Sequence, residues 1–195
     1  MEAYFSSAVS IAAYIKTERE TGRKFEFHNG DLYALAGGTL HHTILCGNVY
    51  AELRAALKHK NVDCKVYTSE LKVHIKNNQK NSFVYPDATV VCGSIQTSDK
   101  DPNAVTNPKV IIEILSKSTA DYDRGDKFHL YRALSSLQEY ILVDQEKYVI
   151  DIYSKKENSD LWHIDRVEGV DHQLYLDSID VKIPLESIYT DVFLS

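Results

Sequence analysis

The chain has 195 residues, of which 44% are hydrophobic and 26% are charged, and its formal net charge is −6. A chain of this length and composition can bury a substantial core, so we expect a single globular domain over residues 1–195. The acidic balance argues against non-specific binding of nucleic acid through overall charge, although it leaves room for a local basic groove. No apolar run approaches the roughly 20 residues that a membrane-spanning helix needs.

The N-terminal sequence and the cysteines predict a cytoplasmic protein. Residues 1–7 lack the basic start and the long apolar stretch of a signal peptide. Cys46, Cys64 and Cys92 are odd in number and have no C-x-x-C spacing. This pattern argues against a zinc site and against a disulfide framework, so we expect buried, reduced thiols.

Hydrophobic periodicity and turn residues predict the elements of the chain. In order they are a helix over 6–20, a hairpin of residues 24–28 and 31–36, a helix over 41–59, strands over 64–76 and 83–92, a loop over 93–107, a strand over 109–115, a helix over 118–136, a strand over 139–144, a hairpin of residues 148–153 and 161–167, and a short helix over 184–189. The first hairpin has the strongest local signal, because Asn29-Gly30 separates two alternating runs. This order predicts an α/β (α+β) fold with a central mixed β-sheet flanked by helices, an N-terminal β-hairpin and extra C-terminal strands.

Two of the predicted strands each contain a carboxylate among hydrophobic neighbours. Asp87 follows Pro86 in the run over 83–92, and Glu113 lies inside the apolar run over 110–115. A carboxylate in such surroundings loses its hydration and is destabilised unless a positive group meets it. If the two strands lie side by side, the two acids form a site for a divalent cation.

The chemistry of such a site points to metal-assisted hydrolysis. Mg²⁺ prefers oxygen ligands, and Asp87, Glu113 and the backbone carbonyl of Ile114 would supply them. A bound ion lowers the pKa of its water and neutralises charge that develops on phosphorus. Lys127, on the following helix, is the candidate for orienting the attacking water or stabilising the transition state.

Several motifs resemble those of a known family through their order and spacing. They are Tyr85-Pro86-Asp87, Glu113-Ile114-Leu115-Ser116-Lys117-Ser118-Thr119, Asp123…Lys127…Tyr131 and Glu139-Tyr140-Ile141-Leu142-Val143-Asp144, with Phe25-Glu26-Phe27-His28-Asn29-Gly30 and His42 upstream. Together they resemble the putative restriction-endonuclease-like domain family of the PD-(D/E)XK nuclease superfamily, which is widespread in bacteria. The resemblance covers about residues 20–155. It implies a restriction-endonuclease-like core, dependence on Mg²⁺ or Mn²⁺, cleavage of DNA phosphodiester bonds and a homodimer.

The resemblance also implies roles for individual residues. By position, Asp87 is the first acid of the superfamily motif and Glu113 is the second. The superfamily pattern has a lysine two residues after the second acid, where this chain has Leu115. We therefore expect the lysine on the following helix, as Lys127, with Lys117 in the intervening turn as an alternative.

Four further residues are candidates for supporting these ligands. Asp123 and Tyr131 are four residues before and after Lys127, so the three share one helix face. Glu26 on the first hairpin and His42 at a helix start are candidates to face the site, and Glu26 is a candidate further ligand.

Each of these residues also has a purely structural interpretation. Asp87 alone fits a strand-end acid after proline, and Glu113 alone fits a buried carboxylate paired with a basic residue. Lys127 fits a solvated lysine that pairs with Asp123 along a helix. The alternative function is a catalytically inactive nucleic-acid-binding or protein-interaction module on the same fold, which Leu115 and the acidic balance favour. A hydrolase of another phosphoester is a third interpretation.

Overall fold

The computed structural model describes residues 8–35, 37–60, 62–78, 80–117, 119–157 and 159–192. Its α-helices are α1 (Ile11–Thr21), α2 (Leu40–Lys60), α3 (Ala120–Tyr122), α4 (Phe128–Tyr131) and α5 (Leu185–Ile188), with a π-helix over Asp123–Lys127 and a 3₁₀ helix over Asp177–Ile179. Its strands are β1 (Phe25–His28), β2 (Asp31–Ala34), β3 (Cys64–Thr68), β4 (Lys72–Asn77), β5 (Lys80–Val84), β6 (Ala88–Cys92), β7 (Ala104–Val105), β8 (Val110–Leu115), β9 (Glu139–Asp144), β10 (Val149–Lys155), β11 (Trp162–Glu168), β12 (Gln173–Leu176) and β13 (Val181–Pro184).

A six-stranded mixed sheet lies at the centre of the fold. Its order is β11-β10-β9-β8-β6-β3, in which β8 and β9 are parallel and the other neighbours are antiparallel. A second sheet has the order β2-β1-β5-β4-β7, and β12 pairs with β13 in a third. The predicted mixed sheet with an N-terminal hairpin and extra C-terminal strands is confirmed.

Helix α2 covers one face of the central sheet. Its apolar residues Leu45, Val49, Leu53 and Leu57 recur at helical spacing and are buried in the largest hydrophobic cluster. That cluster also contains residues of β6, β8, β9 and β10 and of the C-terminal strands. Among the residues that the structure describes, no helix is long and apolar enough to cross a membrane.

The segment from α3 to α4 covers the opposite face. Tyr131, Leu134 and Leu137 are buried with apolar residues of β4, β8 and β9. The helix predicted to reach residue 136 ends at Tyr131 and is interrupted by the π-helix. The second face of the sheet therefore receives short helical turns rather than one continuous helix.

The first hairpin packs against α1 in a third apolar cluster. Asn29 and Gly30 form the predicted turn with positive φ values of 52° and 113°, a region that asparagine tolerates and glycine adopts without strain. The rings of Tyr14, Phe27 and Phe83 pack together, with centroid distances of 5.3–6.0 Å. This packing holds β1 beside β5, which lies next to β6 along the chain.

Each of two predicted strands is divided into two strands in the structure. The predicted loop contains a further short strand. The run over 64–76 turns between β3 and β4, and the run over 83–92 bends between β5 and β6. The second bend contains Pro86, which has no N–H to donate to a strand ladder. The loop over 93–107 contains the two-residue strand β7. Periodicity detects apolar runs, but it does not detect a turn inside one.

The prediction of reduced thiols was wrong for two cysteines. Cys64 and Cys92 face each other across β3 and β6 and form a disulfide, whereas Cys46 is free and half-buried on α2. The sequence separation of 28 residues does not indicate this pairing. The register of two antiparallel strands creates it.

Candidate active site

Asp87 occupies the bend between β5 and β6. Continuing the antiparallel register of Ala88 with Ile112 by one residue places Asp87 beside Glu113. The backbone N–H of Ile114 donates a hydrogen bond of 2.8 Å to Asp87 Oδ2. This bond fixes the carboxylate at the point where β6 begins, beside the later part of β8, and the side chain remains 16% exposed.

Glu113 lies in the middle of β8 and is almost inaccessible to solvent. Lys127 Nζ is 2.8 Å from Glu113 Oε1, and the hydroxyl of Tyr131 donates a hydrogen bond of 2.8 Å to the same oxygen. Within the described part of the chain, both of these contacts are made to Oε1 of Glu113. The second oxygen, Oε2, therefore remains available for a ligand.

Lys127 is brought to the site by the π-helix. Its ammonium group lies 2.8 Å from Glu113, 3.4 Å from Glu26 and 3.8 Å from Asp123. The side chain is only 8% exposed, so the solvated-lysine interpretation was wrong. Short π-helical turns within α-helices frequently occur at functional sites. Lys117 is 82% exposed instead, and it pairs with Glu146 at 3.0 Å.

Glu26 reaches the site from the first hairpin. Its Oε1 accepts a long hydrogen bond of 3.4 Å from the backbone N–H of Tyr85, and the same oxygen lies 3.4 Å from Lys127 Nζ. Its buried Oε2 lies 3.5 Å from His28 Nε2 but makes no hydrogen bond with any described residue. A buried carboxylate oxygen without a hydrogen bond is costly, so this atom could accept a hydrogen-bond donor or a metal ion.

His42 reaches the site from the first turn of α2. Its Nε2 is 3.2 Å from Asp87 Oδ2, and its Nδ1 is 3.5 Å from Cys46 Sγ. The hydrogen bond with Asp87 raises the pKa of His42, although burial opposes the shift. Burial raises the pKa of the Cys46 thiol, and the nearby Asp87 adds to the rise.

The electrostatics of the site are those of four carboxylates around one buried ammonium group. Burial raises the pKa of Glu113 well above its usual range; the opposing charge of Lys127 does not offset this effect, and Asp87 and Asp123 add to the rise. Burial also raises the pKa of Asp123. Burial would raise the pKa of Glu26 too, but Lys127 and His28 outweigh it and the pKa is lowered.

The positive group of the site keeps its charge. Burial alone would lower the pKa of Lys127, but Glu113, Glu26 and Asp123 outweigh it and the pKa is raised well above its usual range. Four carboxyl groups surround this one ammonium group, and the charged forms of Glu113 and Asp123 are left without full compensation. The arrangement therefore favours a further cation.

The residues present fit a hard divalent cation. Asp87 and Glu113 lie side by side, and Glu113 Oε2 carries none of the contacts described above. In an extended strand the N–H and C=O of one residue point to the same side. The Ile114 carbonyl therefore lies on the Asp87 side of β8, because the Ile114 N–H bonds Asp87. These are the oxygen ligands that Mg²⁺ prefers.

The structure thus brings all the predicted site residues together, and it adds four that were missed. The four are His28, Cys46, Tyr122 and Tyr140. His28 Nε2 is 3.0 Å from the Tyr122 hydroxyl, and the Tyr140 hydroxyl donates to the Asp123 carbonyl at 2.9 Å. Only Cys46 had a sequence signal, since it follows His42 by four residues on a helix. The roles of the predicted residues stay predictions.

Comparisons with known proteins agree with this fold. Residues 11–185 match the Uma2 family, described as "Putative restriction endonuclease". Two uncharacterized proteins of Synechocystis are similar to this chain. The protein slr1290 is 33% identical over 93% of this chain and 91% of its own length. The protein sll1609 is 32% identical over 75% of this chain and 81% of its own length. A crystal structure of a putative nuclease belonging to DUF820 from Anabaena variabilis superposes with a TM-score of 0.74 at 14% identity. It covers 95% of this chain and 99% of its own and confirms the restriction-endonuclease-like fold.

Proposed function

Because this chain belongs to the Uma2 family of putative restriction endonucleases, we propose that it is a metal-dependent endonuclease that hydrolyses DNA phosphodiester bonds. The family and the fold support a nuclease. The observation that carries the finer proposal is the position of Lys127, 2.8 Å from Glu113 beside Asp87. The superfamily pattern has a lysine at the position where this chain has Leu115. Lys127 would supply that lysine from the following helical segment.

The two acids would hold one Mg²⁺ or Mn²⁺ together with the Ile114 carbonyl. When bound, this ion supplies positive charge that stabilises the charge developing on the phosphate and lowers the pKa of a bound water. The hydrogen bond from the Ile114 N–H keeps the Asp87 carboxylate in place before the ion binds. The Tyr131 hydroxyl does the same for Glu113.

Lys127 acts as a donor and a positive charge rather than as a base. Its raised pKa keeps the ammonium group protonated, so Nζ can donate to the attacking water or to a phosphate oxygen. Glu26 and Asp123 flank this group at 3.4 and 3.8 Å and hold it toward Glu113. This preorganisation reduces the rearrangement that the reaction requires.

The test is cleavage of supercoiled plasmid DNA by the purified wild type with Mg²⁺, Mn²⁺ or EDTA. The variants are Asp87→Asn, Glu113→Gln and Lys127→Met, and the matched control is Lys117→Met, which changes an exposed lysine. We expect metal-dependent cleavage by the wild type and the control. Removing a buried charged donor from a transition state costs roughly 100- to 1,000-fold in rate, and we expect this loss in Lys127→Met.

The acid variants decide between the proposal and the alternatives. Loss of cleavage in folded Asp87→Asn and Glu113→Gln supports the metal site, whereas cleavage that survives in both rejects it. DNA binding without cleavage under any metal condition supports the inactive binding module. Cleavage of small phosphodiesters but not of plasmid supports another phosphoester as the substrate. The homodimer stays a prediction, which the mass measured by light scattering tests.

A further inference from the structure

A second group of metal-ligand side chains lies beside the proposed magnesium ligands. His42, Cys46 and Asp87 each offer one ligand atom, and these atoms all lie within 4.8 Å of one another. Residues four apart on a helix share a face, which brings His42 and Cys46 together on α2. The hydrogen bond from Ile114 holds Asp87 opposite them.

The donor types of this cluster differ from those of the magnesium site. A ring nitrogen, a thiol sulfur and a carboxylate oxygen form a mixed set that suits Zn²⁺ and other borderline cations, whereas Mg²⁺ requires oxygen ligands. Ligands at ~2.0–2.3 Å from a tetrahedral ion lie about 3.3–3.8 Å apart. The cluster therefore has to contract by about 1.5 Å at most, and His42 gives up one of its two present contacts.

The site is accessible and has a free position. His42 is 22% exposed and Asp87 is 16% exposed, so an ion can reach both without unfolding of α2. Three protein ligands leave a fourth tetrahedral position for water. Cys46 is the free thiol of the chain, since Cys64 and Cys92 are joined in the disulfide.

We propose that His42, Cys46 and Asp87 bind a single Zn²⁺-class ion. Because Asp87 is shared, this ion also excludes Mg²⁺ from the neighbouring site, and this second part rests on the proposed function. The chain then has two alternative metal states that differ in the partner of Asp87, which is Glu113 in one and Cys46 in the other.

The test of binding uses Co²⁺ as a spectroscopic substitute for Zn²⁺ in the oxidised protein. We expect visible bands of four-coordinate cobalt and a near-ultraviolet thiolate-to-cobalt absorption, all lost when stoichiometric Zn²⁺ is added. Only Cys46 can give the thiolate absorption, so Cys46→Ala should abolish it. His42→Ala should weaken cobalt binding by at least about tenfold, while the matched control His41→Ala should bind as the wild type does.

The outcomes separate this proposal from the proposed function. A wild type without thiolate absorption, or an absorption that His42→Ala and Asp87→Asn leave unchanged, overturns the zinc site whether or not the protein cleaves DNA. A thiolate absorption that depends on all three residues establishes the site even if no DNA is cleaved. For the second part, Zn²⁺ should inhibit Mg²⁺-supported cleavage at least about tenfold less strongly in Cys46→Ala than in the wild type. Equal inhibition of the two proteins overturns the second part.

Discussion

Under the proposed function, both the stability and the chemistry of the site depend on Lys127. Its ammonium group is buried among Glu113, Glu26 and Asp123. A lysine in the interior is stable only when such partners compensate for its lost hydration. The same partners hold it where it can donate to a substrate, so one set of contacts has two effects.

Replacing Lys127 with methionine should therefore destabilise the protein as well as stop cleavage. The change leaves Glu113 and Glu26 buried without a cation, and breaking a buried ion pair in this way costs about 3–5 kcal/mol. Chemical denaturation measures the free energy of unfolding. The double variant Lys127→Met/Glu26→Gln should recover part of this stability but none of the cleavage, and recovery of cleavage would show that Lys127 is only structural.

At the scale of elements, Glu139 at the start of β9 anchors the 3₁₀ helix that precedes β13. Its carboxylate accepts hydrogen bonds from the backbone N–H groups of Asp177 and Ser178, at 2.9 and 3.3 Å. Burial raises the pKa of Glu139 above its ordinary value of 4.5, although these hydrogen bonds oppose the rise. The folded state therefore binds this proton more tightly than the unfolded state does.

The contribution of Glu139 to the stability of the wild type should accordingly fall as the pH rises from about 4.5 through the raised pKa of Glu139. The glutamine side chain in Glu139→Gln does not titrate. The free energy of unfolding of this variant minus that of the wild type should therefore increase with pH in that window. Urea denaturation at several pH values measures this difference. A difference that is constant or decreases with pH contradicts the assigned direction of the shift.

The elements also show what a sequence can and cannot predict. Three local signals each predicted the correct element or neighbourhood. They are Asn29-Gly30, the apolar spacing of α2 and the acids of the two strands. The burial of Lys127 depends on a π-helix, for which helical periodicity gives no signal. The bend inside 64–76 and the end of the helix at Tyr131 depend on tertiary packing, whereas the bend inside 83–92 has a local signal in Pro86.

At the scale of the whole molecule, the sheets bring distant segments to one place. Glu26, Asp87, Glu113 and Lys127 come from a hairpin, a bend, a central strand and a helical turn. The resemblance to a family predicted this convergence, because single residues and their spacing do not determine which strands are neighbours. The disulfide was missed for the same reason, since it depends on which strands face each other, whereas Cys46 was missed although its spacing from His42 is a local signal.

The Cys64–Cys92 disulfide closes a long loop between β3 and β6 and should stabilise the whole fold. A crosslink over 28 residues contributes about 3.6 kcal/mol in the loop-entropy description. Thermal and chemical denaturation with and without reductant should show this loss in the wild type. The variant Cys64→Ala/Cys92→Ala should be less stable by a similar amount and insensitive to reductant, and a wild type unaffected by reductant contradicts the prediction.

The most direct test of the account is a Mn²⁺ titration by calorimetry of the wild type, Asp87→Asn and Glu113→Gln. One Mn²⁺ ion per chain should bind between the two acids. Each carboxamide variant should keep its fold, because Asn and Gln oxygens still accept the hydrogen bonds of Ile114 and Tyr131. Binding by the wild type that is lost in both folded variants is the predicted result. Binding that persists unchanged in both variants contradicts a metal site built on Asp87 and Glu113.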